Sequence, residues 1–199
     1  MKKIFFILCG SLLLFAACKN KTKQNGNDAP AVTSAQNNDY LVSMDGIGAL
    51  TTEMSQQELE QLLNRKLPLT NPTDTVSGSW EDTATIRYKD AAIKLDFVRT
   101  YIKDDSFYMR VTGMQTSHPA CKTKNGIGIG STKQQIIDGF ENYLLIMTPD
   151  YADTTYTTRS TSMYSIKVRE DWEGKEMIFY LKDNKVYLLE VTSFHDDSE

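Results

Sequence analysis

Histidine and cysteine, the residues most often used for metal binding and redox chemistry, are scarce in this chain. Only two histidines and three cysteines occur among 199 residues. A zinc site needs three or four converging ligands, and a hydrolytic triad needs a histidine held between a carboxylate and a nucleophile. His195 lies in the C-terminal tail, far from His118, and the sequence supports neither arrangement. We therefore expect no metal, no cofactor and no catalytic residue, and hence a protein that is not an enzyme.

Clustered basic residues are also lacking. The chain has 22 Lys and Arg residues against 26 Asp and Glu residues. Without the first 39 residues, which hold five lysines and two aspartates, 17 basic residues stand against 24 acidic ones, a net charge of −7. Phosphate contacts need clustered Lys and Arg. Nucleic acid is therefore not an expected partner.

A phosphate-binding loop is missing in spite of a glycine-rich stretch. Residues Gly126 to Thr132 read Gly-Ile-Gly-Ile-Gly-Ser-Thr, and Lys133 follows them. A P-loop requires the order Gly-Lys-Ser/Thr, whereas here the lysine comes after the hydroxyl residues. We expect a structural turn that leads into a helix.

The N-terminal apolar run is too short to span a bilayer. From Ile4 to Ala17 it holds fourteen residues, about 21 Å as a helix, whereas the hydrocarbon core measures about 30 Å. Lys2 and Lys3 precede the run, which is the pattern of a secretory signal peptide. We assign residues 1–17 to this signal.

The end of this run resembles the lipobox of bacterial lipoproteins. Residues 14–18 read Leu-Phe-Ala-Ala-Cys, so the resemblance implies cleavage after Ala17 and a diacylated Cys18 as the new N-terminus. Several acyl chains anchor a protein far better than one. The next residue is Lys19, not the aspartate that retains related lipoproteins in the inner membrane. We expect a lipid-anchored protein of the cell envelope, in the outer membrane and facing the periplasm.

Only Cys121 then remains in the mature chain, because Cys9 lies in the signal and Cys18 carries the lipid. No intrachain disulfide can form. We expect Cys121 to be a small buried hydrophobe; a free surface thiol or an intermolecular bridge is the alternative. His118 lies nearby in the sequence, but without an aligned Asn or Asp the pair does not make a thiol protease.

Residues 18–39 are expected to form a flexible tether. From Lys19 to Asp39 the chain is polar, rich in Asn, Gln, Ala, Ser and Thr, and free of aromatics, so it cannot bury enough apolar surface to fold. A flexible chain of about 21 residues spans roughly 25 Å. Such a tether would keep the folded part close to the membrane.

The folded part reads as two copies of one unit, residues 40–115 and 116–199, the second ending in a short acidic tail. Ser55 and Thr132 each begin a capping box, at an offset of 77 residues. In such a box the hydroxyl and a Glu or Gln side chain three residues on satisfy free backbone N–H groups at a helix start. Helices are therefore predicted to begin at both positions. A Val-Thr pair recurs at residues 111 and 191, an offset of 80.

Alternating sequences predict three strands after each helix. The predicted strands are Ala84 to Tyr88, Ala92 to Val98, Phe107 to Thr112, Met163 to Arg169, Glu176 to Leu181 and Lys185 to Thr192. Their period of two puts one set of side chains in the core and the other in water. Tyr151 to Ser162 is rich in Thr and Tyr and is predicted to be a long loop or an exposed edge. The expected fold class is α+β, with two tandem repeats that each pack a helical segment on a small antiparallel sheet.

This order of elements behind a lipobox resembles the β-lactamase-inhibitor-protein-like superfamily, whose single-unit relatives are the SmpA/OmlA outer-membrane assembly lipoproteins. The resemblance covers Gly46 to Phe194, and Gly126 to Thr132 look like the glycine-then-cap entry to the helix. It implies the fold alone. The paired cysteines of secreted inhibitors are absent, and no particular target is carried over.

The outward side chains of the strands are the candidate binding residues. They include Lys94, Asp96, Tyr108, Arg110, Lys167, Arg169, Tyr180 and Glu190, with Trp172 in a predicted turn. Tyr, Trp and Arg are favoured in protein interfaces, although a plain solvated sheet face would show the same pattern. The sequence favours a non-catalytic module that binds a protein partner in the envelope. An inhibitor or immunity-type protein against a secreted enzyme is one alternative, and an envelope hydrolase with a cryptic site is another.

The lipobox generates a direct prediction. Replacing Cys18 by Ala removes the thiol that would carry the lipid, so the variant should remain an uncleaved, unacylated precursor. Metabolic labelling with a radioactive fatty acid measures this, with the unaltered chain as the positive control. Label that persists in the variant would show that Cys18 is not the lipid site.

Overall fold

The computed structural model describes residues 38–69, 81–103, 106–170 and 174–194, all of which lie in one compact unit. Several sequence predictions lie outside the described residues, namely the signal, Cys18, the tether up to residue 37, the Asp104-Asp105 turn, Trp172, His195 and the acidic tail.

Strands dominate the described structure. Those before the middle of the chain are β1 (Leu41–Ser43), β2 (Gly46–Ile47), β3 (Leu50–Thr51), β4 (Glu81–Tyr88), β5 (Ala91–Lys103), β6 (Ser106–Thr116) and β7 (Lys122–Thr123). The later ones are β8 (Leu144–Tyr151), β9 (Arg159–Arg169), β10 (Gly174–Lys182) and β11 (Lys185–Phe194). The two α-helices among the described residues are α1 (Gln56–Leu63) and α2 (Lys133–Gly139), and a 3-10 helix covers Asn38–Tyr40.

These strands build two sheets. The small sheet has the order β3-β2-β1-β7, and the large sheet has the order β4-β5-β6-β11-β10-β9-β8. Every pairing in the large sheet is antiparallel, whereas β1 and β7 pair in parallel. Both predicted halves therefore contribute strands to one continuous sheet.

The expected fold class of two helix-on-sheet repeats is wrong. The structure is mostly β, and its α-helices hold only eight and seven residues. The joint between the halves is the antiparallel pairing of β6 with β11, in which Gly113 to Thr116 face Leu189 to Thr192. An unpaired strand edge exposes a row of backbone N–H and C=O groups. By pairing along β6 and β11, the two predicted sheets satisfy the backbone hydrogen bonds of one edge each.

Both predicted helix starts are confirmed. The Glu58 N–H donates to the Ser55 hydroxyl at 3.2 Å, and the Ser55 N–H donates to the Glu58 carboxylate at 2.8 Å. Thr132 and Gln135 repeat the arrangement at 3.3 and 2.8 Å. No helix among the described residues combines the length and apolar composition needed to cross a membrane.

α1 ends at Leu63, and Glu60 holds the chain that follows it. The chain enters the left-handed region at Asn64, with φ 50°, and the buried Glu60 carboxylate accepts a hydrogen bond from the Leu67 N–H at 3.0 Å and one from the Lys66 ammonium at 2.6 Å. Lys66, the Leu67 N–H and Gln56 together lower the pKa of Glu60 to about 2. A carboxylate that stays ionised thus fixes the chain after the helix.

The alternation of the central strands is confirmed by burial. Ile93, Leu95 and Phe97 of β5 are buried on one face, and Met177, Phe179 and Leu181 of β10 are buried on the same side of the sheet. The core continues into the small sheet and the helices, through Val42, Ile47, Leu50, Leu59, Ile127 and Ile136.

Gly139, at the end of α2, is a residue type that weakens helices, but its small size leaves room for the Ile127 side chain. A Cβ atom there would lie 2.1 Å from Cδ1 of Ile127. The Asn125 side chain also donates to the Gly139 carbonyl at 2.8 Å. The missing side chain lets the glycine-rich turn pack directly against the helix.

The expectation for Cys121 is confirmed, because this cysteine is fully buried within the core cluster. Burial raises the pKa of its thiol, partly offset by a hydrogen bond with Thr116. A thiol that stays protonated is a poor nucleophile, so Cys121 acts as a core residue.

The last strand at one end of the large sheet, β8, escaped sequence analysis. The Tyr151 to Ser162 segment divides into the end of β8, a loop over residues 152–158 and the start of β9. Pro149 interrupts β8 close to a register irregularity between Pro149 and Tyr151. Proline lacks an N–H group and is tolerated in edge strands, which explains why the stretch carries a weak strand signal.

The core position of Phe179 generates a stability prediction. Phe179 is fully buried and packs against Phe140, with ring centroids 5.7 Å apart. Phe179→Ala should lower the free energy of unfolding by about 3–5 kcal/mol, because it leaves a cavity. Tyr187→Ala, at an exposed position on the neighbouring strand, should change it by about 0.5 kcal/mol or less. Urea denaturation of both variants checks the prediction, which fails if the two lose equal stability.

Candidate binding face of the large sheet

The side of the large sheet opposite the core carries a polar network, which we call the open face. Strand register aligns Lys94, Gln115, Glu190, Ile178 and Lys167 in one cross-strand row, and Asp96, Gly113, Thr192, Glu176 and Arg169 in the next. Tyr180 lies beside the first row on β10. The joint between β6 and β11 runs through the middle of this face.

Glu190 is the centre of the network. Its Oε2 atom accepts a hydrogen bond from the Tyr180 hydroxyl at 2.7 Å and one from the Gln115 amide at 3.1 Å. Burial raises the pKa of Glu190, and the hydrogen bond from Tyr180 only partly offsets this. Burial and the nearby Glu190 in turn raise the pKa of Tyr180. The pair therefore consists of a partly desolvated carboxyl group and a phenol that stays protonated.

The charged groups around this centre are paired within the face. The buried Glu176 accepts hydrogen bonds from Lys167 at 3.0 Å and from Arg169 at 2.6 Å. On β5, Lys94 lies 2.9 Å from Asp96. The side chains of Lys94 and Lys167 are 45% and 33% exposed, whereas that of Glu176 is 5% exposed. The lysine side chains are therefore accessible to solvent, whereas Glu176 is covered by its partners Lys167 and Arg169.

The structure brings together six of the predicted outward residues. The open face and its polar pairs contain Lys94, Asp96, Lys167, Arg169, Tyr180 and Glu190. Sequence analysis did not identify Gln115 and Glu176 as members of the open face, because neither residue type stands out in an alternating strand. Gln115 lies directly opposite Glu190, and Glu176 lies directly opposite Arg169. These positions can be recognised only when the strand register is known.

Tyr108 and Arg110 lie apart from this network, beside the segment that precedes α1. The Val111 N–H donates to the Met54 carbonyl at 2.9 Å, and the Glu53 N–H donates to the Val111 carbonyl at 2.8 Å. This pairing covers Arg110, which donates to Glu53 and Thr100.

The expectation that Arg110 is an exposed anchor is wrong, because the residue is only 8% exposed. Tyr108 remains exposed and lines a groove with α1 residues and Lys66.

The glycine-rich turn does not present free backbone N–H groups to an anion. The Gly128 N–H donates to the Ser131 hydroxyl at 3.1 Å, and the Gly130 N–H donates to the Val186 carbonyl at 2.8 Å. The turn ties α2 to β11, as expected of a structural element. Among the described residues, no group of three or more His, Cys, Asp and Glu side chains is placed to hold a metal ion.

His118 is not part of the open face and belongs to a different cluster of side chains. Its ring stacks on Tyr40 with centroids 5.7 Å apart, and its Nε2 atom lies 3.7 Å from the Asp90 carboxylate, to which Tyr40 also donates. The cluster fixes the start of the described chain against the turn between β4 and β5.

No family model, no curated protein and no solved structure matches this chain. The geometry of the open face and the residues that form it therefore carry the functional argument.

The half-buried carboxyl group of Glu190 generates a pH prediction. The pKa of Glu190 is higher in the folded state than in the unfolded state. Its contribution to the free energy of unfolding is therefore greatest when the group is protonated, and it falls as pH rises past the unfolded-state pKa of about 4.5. Glu190→Gln keeps an acceptor for Tyr180 without the charge, so it should be more stable than the unaltered protein at pH 7 and equal to it below pH 4. Urea denaturation at both pH values measures the difference. A variant that is less stable at pH 7 would contradict the assignment.

Proposed function

We propose that this chain is a lipid-anchored protein of the cell envelope that acts without catalysis and binds a protein partner through the open face. The observation that carries the proposal is a series of three polar clusters that lie side by side across five strands of the large sheet. They are the Lys94–Asp96 pair on β5, the Gln115, Glu190 and Tyr180 group on β6, β11 and β10, and Glu176 with its partners Lys167 and Arg169 on β10 and β9. The lipid anchor follows from the lipobox at Cys18.

The composition of the face supports binding. Tyr and Arg are enriched in protein interfaces, and Tyr180 and Arg169 both lie there with their polar atoms already in place. Side chains that are fixed before association lose little conformational entropy when a partner arrives. A face that only meets water has no need to hold Glu176 buried between two cations.

The network favours binding over hydrolysis. A carboxyl group with a raised pKa is what a general acid needs, and Glu190 is the residue that an envelope hydrolase would use. Its Oε2 atom is however occupied by Tyr180 and Gln115, and its surroundings are the flat backbone of paired strands. An inhibitor or immunity-type role is the special case in which the partner is a secreted enzyme.

A tether of about 21 residues would strengthen binding to a partner even if the interface itself has only a modest affinity. It keeps the folded part within roughly 25 Å of the membrane and so raises the effective concentration against a partner in the same layer. The net negative charge outside the first 39 residues keeps nonspecific contacts with anionic lipid and nucleic acid low.

Neutralising the exposed cations of the face tests the proposal. The double variant Lys94→Gln with Lys167→Gln should lose partner recovery from the envelope fraction at least tenfold, as measured by quantitative mass spectrometry. Lys122→Gln with Lys124→Gln is the matched control, because both lysines are exposed but lie in the small sheet and the turn after it. Thermal melts of both variants exclude unfolding. Equal recovery with both double variants would contradict the proposal.

A further inference from the structure

Besides the open face, the loop between β8 and β9, residues 152–158, is a second candidate for binding, because its ordered conformation is not explained by the folding of the chain alone. We propose that this Tyr156 loop is a preformed contact that places the Tyr156 ring in a pocket of the partner protein, with a carboxylate at the rim of that pocket. The inference rests on the proposed function and deepens it by naming the chemistry of the partner.

The loop is held in one conformation by Asp153. Its carboxylate accepts hydrogen bonds from the N–H groups of Thr155, Thr157 and Thr158 at 3.0, 3.1 and 2.9 Å, and from the hydroxyls of Thr155 and Thr157 at 2.8 and 3.1 Å. These bonds lower the pKa of Asp153, the bond from the Thr157 N–H most strongly. The Ala152 N–H closes the base of the loop on the Thr158 carbonyl at 2.8 Å.

Tyr156 occupies the tip in an unfavourable conformation. Its φ of 57° lies in the left-handed region, where a residue with a Cβ atom is strained and glycine or asparagine is favoured. Its side chain is 72% exposed and is not part of the core. The backbone of the turn would favour glycine or asparagine here, and the core gains nothing from a tyrosine at this position. Strain of this kind is found where structure serves binding.

Two further side chains support the ring. Tyr156 meets Tyr151 edge to face with centroids 5.2 Å apart, and the Arg159 guanidinium lies 4.0 Å above the Tyr151 ring. Arg159 also donates to the Pro149 carbonyl at 3.0 Å. Tyr and Arg are the residue types that dominate interface hot spots. The ring and the cation together fit a pocket that takes one phenol and presents a carboxylate beside it.

The hydrogen bonds of the loop favour a protein over a sugar as the partner. Aromatic rings can stack on either, but a sugar also needs polar groups that are free to bond its hydroxyls. Two of the loop's threonine hydroxyls, those of Thr155 and Thr157, already donate to Asp153. Burying the Tyr156 ring requires a partner only for its own hydroxyl group, and the carboxylate at the rim of the pocket would supply one.

Photo-crosslinking in intact cells tests the inference on the full-length protein. The crosslinking amino acid p-benzoylphenylalanine replaces Tyr156 at the loop, the exposed Thr85 beside Lys94 on the open face, and the exposed Lys124 in the turn after β7 as a control position. Residues 85 and 156 are well separated, because six strand spacings of about 4.8 Å separate β4 from β8. We expect one discrete protein adduct from position 156 and none from position 124. Adding Asp153→Ala should reduce the adduct from position 156 at least fivefold.

A second measurement separates binding from stability. Tyr156→Gly removes the ring and relieves the backbone strain, so the melting temperature should stay equal or rise while partner recovery falls at least tenfold. Unchanged recovery would overturn the inference, as would an adduct from position 156 that is glycan by mass. Adducts from position 85 without any from position 156 would overturn it while the proposed function stands. If neither position yields an adduct, the proposed function fails with it.

Discussion

The antiparallel pairing of β6 with β11 is the contact on which the rest of the structure depends. Four residue pairs, from Thr192 with Gly113 to Leu189 with Thr116, join two sets of strands that are separate in the sequence. On the core side the pairing sets Met114 against Val191. On the other side it sets Gln115 against Glu190. The same register thus makes one hydrophobic core and one continuous polar face.

Local sequence was sufficient for both helix starts and for the central strands, but it was insufficient for β8 and for the arrangement of the strands. The capping boxes at Ser55 and Thr132 act within four residues, and both helix starts were predicted correctly. The joining of the two halves into one sheet depends on contacts about 80 residues apart, which no local pattern encodes. Arg110 shows the same limit, because strand alternation places it outward while its partner Glu53 lies 57 residues away. Part of the candidate face was nevertheless predictable, since alternation alone identifies Lys94, Lys167, Arg169 and Tyr180 as outward residues.

Three glutamates that are at least partly shielded from water differ in the groups that surround their carboxylates. Glu60 has a lysine, a backbone N–H and an amide as donors, and its pKa falls to about 2. Glu176 has two cations. Glu190 has only the neutral donors Tyr180 and Gln115, and burial raises its pKa. An opposite charge offsets desolvation far better than a neutral donor does. The pKa of Glu190, which has only neutral donors, therefore stays raised.

The position of Pro149 bears on whether copies of the protein can join through this edge of the large sheet. Collisions between unpaired sheet edges allow strand exchange, which leads to aggregation. Among the described strands β8 terminates the large sheet on one side, and Pro149 interrupts its row of N–H donors while the adjacent register slips. A neighbouring copy would find no regular ladder to extend along β8. The sheet of one copy therefore cannot continue through this edge into the sheet of the next.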